Sequence, residues 1–420
     1  MGKQNSATVS ETAWPHRLAK ATIVVTDANG QPRPDLAVQV RQINHAFRFG
    51  NILFDSIPLA LGASDDQDRD QRELDDWMEL FNFGTLPFYW RHYEPSEGNP
   101  NSAKLLAAAR YFKTLGLELK GHPLTWHTLA PQWLMGRPLE AVEHALRWRI
   151  AREVSGFAGV IDTWDAINEA VIMPVFTAEP NAITPLCLHK GRIAMVAMAL
   201  ESARQANPGA TLLVNDFDLS SAYECLIEGL LEAGLRIDAL GLQTHMHQGY
   251  RGDEETTAML DRFARFGLPL HLTETSLVSG QLMPAHIVDL NDYQVNDWPS
   301  TPDGEARQAN QIATYYSRLL THPSVQAVTY WGLTDRTSWL GAPTGLLRQD
   351  GSRKPSFTAL RDLIKGDWWL GDTTLFTDPD GRISVTGFKG DYEICRTTDP
   401  SQAVQVRLEA SNSTVQVRLG

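Results

Sequence analysis

Two glutamates lie where chemistry is expected. Glu169 stands near the end of DTWDAINEA (162–170), and Glu274 stands within LPLHLTETSL (268–277). Each follows an apolar run of the kind that forms a buried strand, and glutamate is rarely buried without a partner or a task. Two carboxyl groups sharing one space suit the hydrolysis of a glycosidic bond. One, as the acid, protonates the leaving oxygen; the other, as the carboxylate, attacks the anomeric carbon, at about 5–5.5 Å separation when configuration is retained. Their pKa values must then be pushed apart. His245 suits a partner that keeps Glu274 ionised and oriented, while Trp164 and Asn168 offer surroundings that keep Glu169 protonated. Asn168 also suits a hydrogen bond to a sugar 2-hydroxyl, which strengthens in an oxocarbenium-like transition state.

Such a pair needs a scaffold, and the chain supplies a repeating one. Strand-like runs at 47–54, 81–90, 117–126, 160–170, 211–219, 237–246, 268–277 and 325–335 alternate with Ala- and Leu-rich stretches of helical spacing, such as AKLLAAARYFKTLG. Eight βα units predict an α/β fold, a (β/α)8 TIM barrel, whose reactive groups gather at the C-terminal ends of the strands. Those ends carry His122, Trp126, His127, Asn168, Glu169, Asn215, Asp216, Gln243, His245, Glu274, Trp331 and Asp335.

The two ends of the chain have a different pattern. Residues 20–44 read as two alternating strands joined by an Asn-Gly turn, an N-terminal β-hairpin, and 367–420 show period-two alternation without a helical pattern. The expected organisation is residues 1–46 and 367–420 building a small β-sandwich beside a catalytic barrel at 47–366. That sandwich suits a sugar-binding module or a structural cover for the barrel's edge. The recurring AVQVR, AVQVR and TVQVR segments are too short to establish a repeat. The pair Trp368 and Trp369 reads as an interface plug rather than a sugar platform.

The 420 residues carry 50 acidic and 37 basic side chains, a formal charge of -13. That balance disfavours nucleic acid and anionic membrane surfaces and favours a carbohydrate substrate. No obligate protein partner is evident. Cys187, Cys225 and Cys395 lie far apart, without zinc or disulfide-framework spacing. The N-terminal residues lack a signal-type apolar run, so the compartment stays open: secreted or periplasmic if a signal peptide has been removed, cytoplasmic otherwise. No cofactor is implied, and no calcium loop of the D-x-D-x-D-G type occurs. His245 and His247 form an H-x-H pair of the kind a metal hydrolase uses, but fitting further ligands are missing from the strand ends.

The motifs taken together resemble glycoside hydrolase family 10, whose members include retaining endo-β-1,4-xylanases. GHPLTWH (121–127), WDAINEA (164–170), NDFD (215–218), GLQTHM (241–246), LTET (272–275) and WGLTDRTSW (331–339) match its strand motifs in order. The resemblance implies Glu169 as acid/base, Glu274 as nucleophile and His245 as its hydrogen-bonded neighbour. Asn168, His122, Trp126, Gln243 and Trp331 would line the subsite of the cleaved sugar. Trp339 is placed to stack on sugar, and Asn215 stands among the same strand ends.

Two segments depart from the family pattern. Before Glu94-Pro95 the family carries a Glu, an Asn and a Lys that bond sugar hydroxyls, whereas this chain has TLPFYW (85–90), with Leu86, Pro87, Phe88 and Tyr89 in that region. A sugar hydroxyl buried unpaired there costs about 1–3 kcal/mol. The expectation is an apolar glycone wall, including Phe88 and Tyr89, suited to exo action or to deoxygenated or substituted sugars. A conventional endo-xylanase and a non-catalytic sugar-binding barrel are the alternatives. Phe217 and Asp218 replace the family's Tyr and Asn after strand five. The long segment 278–303, with Tyr293 and Trp298, either walls the groove or packs on its neighbours.

Overall fold

The structure is a computed structural model that describes residues 4–9, 14–410 and 412–419. These separate into two compact units, one of Phe49–Thr314 with Ser324–Ser356, the other of Met1–Arg48, Tyr315–Pro323 and Phe357–Gly420. The division departs from a barrel at 47–366, because Tyr315–Pro323 and the residues from Phe357 onward group with the terminal strands.

The larger unit is built around a closed barrel of eight strands: Arg48–Ile52, Phe83–Pro87, Glu118–His122, Thr163–Asn168, Thr211–Asp216, Ala239–Met246, Leu270–Leu277 and Val325–Tyr330. They are called strands one to eight below. Consecutive strands from one to eight pair in parallel. Strands four and seven are buried along their whole length, as befits parallel strands covered on both faces. The helix Ser102–Thr114 shows why the intervening segments are helical. Leu105, Ala108, Ala109 and Phe112 recur at helical spacing and are its buried face, and Gly116, at φ +83°, ends the turn that follows.

Two irregularities bear on the site. Strand seven carries an extra residue, Thr273, between Leu272, paired with Leu242, and Glu274, paired with Gln243. Strand four carries Ala166 in the same way between Asp165 and Ile167. An extra residue resets the alternation of side chains. Hence Thr273 and Glu274, though adjacent, both bond the side chain of Asn215.

The smaller unit contains two four-stranded sheets. One has the order Ser6–Thr8, Arg382–Phe388, Leu18–Thr26, Ser413–Arg418; the other Thr373–Phe376, Ala37–His45, Gly390–Arg396, Asp399–Leu408. Their inner faces meet in an aliphatic core that includes Ile23, Val25, Val38, Val40, Val385, Ile394 and Val417, which makes a β-sandwich. The N-terminal hairpin expected from the sequence does not form: Leu18–Thr26 and Ala37–His45 lie in different sheets. The Asp27–Gly30 turn is present, with Gly30 at φ +80°. Pro32 and Pro34 then remove two backbone donors from the connection, and the chain leaves for the second sheet. Trp368 is fully buried and meets Trp14 edge-on at 6.3 Å, while Trp369 lies 5.1 Å from His45. Cys187, Cys225 and Cys395 are all free thiols. No single helix among the described residues is long and apolar enough to cross a membrane.

Candidate active site

Glu169 follows the last residue of strand four with a left-handed backbone, φ +59°. A side chain with a Cβ pays about 1–2 kcal/mol for that conformation, and two hydrogen bonds hold it. The Glu169 N–H donates to the Asn215 carbonyl at 2.7 Å, and its own carbonyl accepts from the Met173 N–H at 3.1 Å. At the carboxyl group, Trp126 Nε1 donates to Oε2 at 2.7 Å, while Asn168 Nδ2 and Gln243 Nε2 approach Oε1 at 3.1 and 3.3 Å. Burial pushes the Glu169 pKa up to about 8; the negative charges of Glu274 and Asp216 add to the rise, and the Trp126 and Gln243 hydrogen bonds oppose it.

Glu274 occupies the same interior with the opposite bias. Burial alone would raise its pKa, but the His122 charge, the His245 hydrogen bond and charge, and the Lys120 charge outweigh that and hold it below the usual carboxylate range. His245 Nε2 lies 3.2 Å from Oε2, and its Nδ1 lies 2.9 Å from Ser276 Oγ, which fixes the ring. His122 Nε2 is 3.9 Å from Oε1. Its Nδ1 is held at 2.7 Å by Asp165 Oδ2, the oxygen that also accepts from Lys120 Nζ at 2.7 Å.

Asn215 joins the two halves of the site. Its Nδ2 donates to Glu274 Oε1 at 3.0 Å and to Asn168 Oδ1 at 2.6 Å, and its Oδ1 accepts from Thr273 Oγ1 at 2.5 Å. Gln243 Nε2 shares the Asn168 oxygen at 3.1 Å. The side chain fits because strand six has Gly241 opposite, where an added Cβ would stand 2.9 Å from Asn215 Cγ and 3.0 Å from its Cα. Two carboxyl groups, Glu274 buried and Glu169 with 13% of its side chain exposed, one biased toward the anion and the other toward the acid, can work as a nucleophile and a proton donor.

Aromatic rings frame this centre. Tyr89 lies 5.6 Å from His122, 5.7 Å from Trp126 and 5.9 Å from Phe54. Trp331 lies 5.2 Å from His122 and 5.9 Å from Phe54, and Trp339 leans on His245 at 4.8 Å. Phe88 is a correction: it does not line the cleft but is a core side chain, fully buried 4.8 Å from Trp164 and 5.0 Å from Phe157. Strand two ends at Pro87, and the ring of that segment that reaches the centre is its half-buried neighbour Tyr89. Trp164 is likewise a core residue, its Nε1 bonded to the Ile161 carbonyl, and the indole at Glu169 is that of Trp126. Asp335 bonds Lys354 Nζ at 2.7 Å rather than joining the site. Asp216 accepts the backbone N–H groups of Val171 and Asp218.

His127 sits 3.8 Å from Glu169 Oε2 and 4.2 Å from the Phe176 ring. Among the described residues no group of three His, Cys, Asp or Glu side chains is arranged to hold a metal ion. Lys120, Asp165, Thr273, Gly241 and Phe54 join the site beyond the residues expected from the sequence. A lysine and an aspartate inside two neighbouring apolar strand runs were a readable signal for the buried Lys120–Asp165 pair. The segment after strand seven has its own small core, with Val278, Met283 and Trp298 packed with Ala342, and Trp298 Nε1 bonds the Gln281 carbonyl.

Comparison with known proteins places this geometry. An endo-1,4-beta-xylanase/feruloyl esterase of Xylanibacter ruminicola is 27% identical over 67% of this chain and 42% of its own length. Endo-1,4-beta-xylanase B of Thermotoga neapolitana is 30% identical over 58% of this chain and 69% of its own length. The chain thus spans less than half of the first relative. The crystal structure of xylanase 10B from Thermotoga petrophila in complex with xylobiose shares the fold, with TM-score 0.62, 22% identity, and coverage of 76% of this chain and 94% of that one. The family model for glycosyl hydrolase family 10 matches residues 87–363, well over half of the 420, and with one carboxyl group directly after strand four and the other within strand seven, the chain belongs to glycosyl hydrolase family 10.

Proposed function

We propose that the protein is a retaining β-glycosidase that hydrolyses a β-linked carbohydrate by double displacement. Glu274 attacks the anomeric carbon while Glu169 gives its proton to the leaving oxygen; Glu169 then takes a proton from water, which releases the sugar from Glu274. The observation that carries this reading is the opposed bias of two carboxyl groups joined by one hydrogen-bond network through Asn168, Asn215 and Gln243. His245 and His122 serve the anion of Glu274, Trp126 and Gln243 orient Glu169, and Asn168, with Asn215 behind it, faces the sugar 2-hydroxyl. Trp331, Trp339 and Tyr89 supply ring faces for stacking.

The glycone side is the specific part of the proposal. Tyr89 and Phe54, 5.9 Å apart, flank His122 and Trp331, and on this reading their rings stand where a chain of hydroxylated sugars would need hydrogen-bond partners. A single glycone, or one with a deoxygenated, acylated or methylated edge, loses less there than a xylan chain. The second reading, a conventional endo-1,4-β-xylanase, is favoured by the names of the relatives. One experiment separates them: release of nitrophenol from aryl β-glucoside, xyloside, xylobioside, cellobioside and 6-deoxyglycosides, beside sugar release from soluble xylan, with Glu274→Ala as control. Efficient Glu274-dependent release from xylan and xylobioside refutes the altered glycone side. Turnover confined to monosaccharide glycosides supports it, and binding without turnover by the unmodified protein refutes the enzyme reading.

A further inference from the structure

Strand six presents Gln243 and His245 at alternate positions, which share a side, and His247 follows in the turn directly after the strand's last residue, Met246. The first bonds Glu169 and the second Glu274. The third, one step further out, lies 5.7 Å from the His245 ring and 5.3 Å from Trp339, the half-buried indole that leans on His245. Trp298 closes over it at 6.2 Å. His247 is 1% exposed, and neither ring nitrogen has a hydrogen-bond partner among the described residues.

A neutral imidazole carries one donor and one acceptor, and leaving both unmet in the interior is costly. A phenylalanine would fill the space between Trp339 and Trp298 without that cost. Burial lowers the His247 pKa to about 3, with the His245 charge adding to the effect, so the ring is neutral under ordinary conditions. It is therefore a poor electrostatic partner for Glu274 but a good partner for a hydroxyl, which can accept from one nitrogen or donate to the other.

Resting on the glycosidase reading, we infer that His247 is a specificity-determining residue: it hydrogen-bonds a polar exocyclic group, such as a hydroxymethyl, on the sugar held against Glu274. The glycone would then meet rings on the strand-two side and a polar handle on the strand-six side. That combination favours a hexose-type sugar over an unsubstituted pentose.

The test compares kcat/KM for 4-nitrophenyl β-glucoside and β-xyloside in the unmodified protein, His247→Phe and His247→Gln. The glucoside-to-xyloside ratio should fall about tenfold or more in His247→Phe, since a site built to bond a hydroxyl discriminates through the polar group left unpaired. His247→Gln, which keeps a donor and an acceptor, should recover part of the ratio. A ratio unchanged in His247→Phe, whether or not both rates fall, overturns the assignment and leaves His247 a structural group or the holder of a trapped water. Absence of any Glu274-dependent turnover refutes the glycosidase reading instead. The His247 assignment is then decided by calorimetry: a cellobiose-to-xylobiose affinity ratio that falls in His247→Phe sustains it, and an unchanged ratio refutes it.

Discussion

The opposed bias of the two carboxyl groups is a statement about stability as well as catalysis, because a pKa that differs between folded and unfolded chains makes stability depend on pH. Glu169 rises from an ordinary 4.5 to about 8 on folding. The folded state therefore holds a proton that the unfolded chain releases. Stability tied to that proton is intact below pH 4.5 and is lost as pH climbs through 8. The full shift corresponds to about 5 kcal/mol by linkage, and to roughly 2–3 kcal/mol if the buried site responds with the higher effective dielectric that proteins usually show. Glu169→Gln imitates the protonated form and should behave accordingly: as stable as the unmodified protein near pH 4, and more stable by that amount near pH 9. Glu274→Gln should do the reverse. Its folded pKa lies below the unfolded value, so the charge contributes stability above about pH 4.5 that disappears as pH falls through the folded pKa. The Gln variant should be less stable at pH 7, with the difference closing on acidification. Urea midpoints measured from pH 4 to 9 on the three proteins decide the matter. A stability difference for Glu169→Gln that does not change with pH, or both variants shifting in the same direction, refutes the reasoning.

Trp126→Phe removes a 2.7 Å donor to the Glu169 anion while keeping an aromatic ring; a hydrogen bond to a charged group is worth about 1.5–3 kcal/mol, so the basic limb of kcat/KM should move up by roughly one to two pH units, and a limb that stays or moves down contradicts the assigned bond. Gly241→Ala drives a methyl group into Asn215. It should cost about 1–3 kcal/mol of stability and, by displacing a donor from Glu274, raise the acidic limb of the pH–rate profile; melting curves and pH–rate profiles check both, and an unchanged acidic limb argues against the role of Asn215.

The barrel was legible because its strands are apolar runs at regular intervals, and the site because a glutamate closes one of those runs and another interrupts a second. The lapses have local causes. Phe88 and Tyr89 are adjacent rings just beyond strand two, where period-two alternation no longer decides which faces the cleft. Trp164 was the nearer tryptophan to Glu169 in sequence, but Trp126 reaches it from the loop after strand three. The extra residues Ala166 and Thr273 leave no mark in composition, although they determine which neighbours of the glutamates face inward. The left-handed backbone of Glu169 is equally silent, since glutamate has no preference for it. The N-terminal strands are legible, but their partners are not, because Asn-Gly signals a turn without saying which strand returns.

Those partners have a consequence for biosynthesis. Leu18–Thr26 is flanked by Arg382–Phe388 and Ser413–Arg418, and Ala37–His45 by Thr373–Phe376 and Gly390–Arg396, so each of the two strands waits for partners that leave the ribosome more than 300 residues later. At about 5–20 residues per second, more than 300 residues of intervening chain leave Ile23, Val25, Val38 and Val40 uncovered for tens of seconds. Long-range pairing of this kind is slow and exposes strand edges to other chains. A nascent chain of this protein should therefore engage holding chaperones through Leu18–Thr26 and Ala37–His45, and release them when the strands between Thr373 and Arg418 emerge.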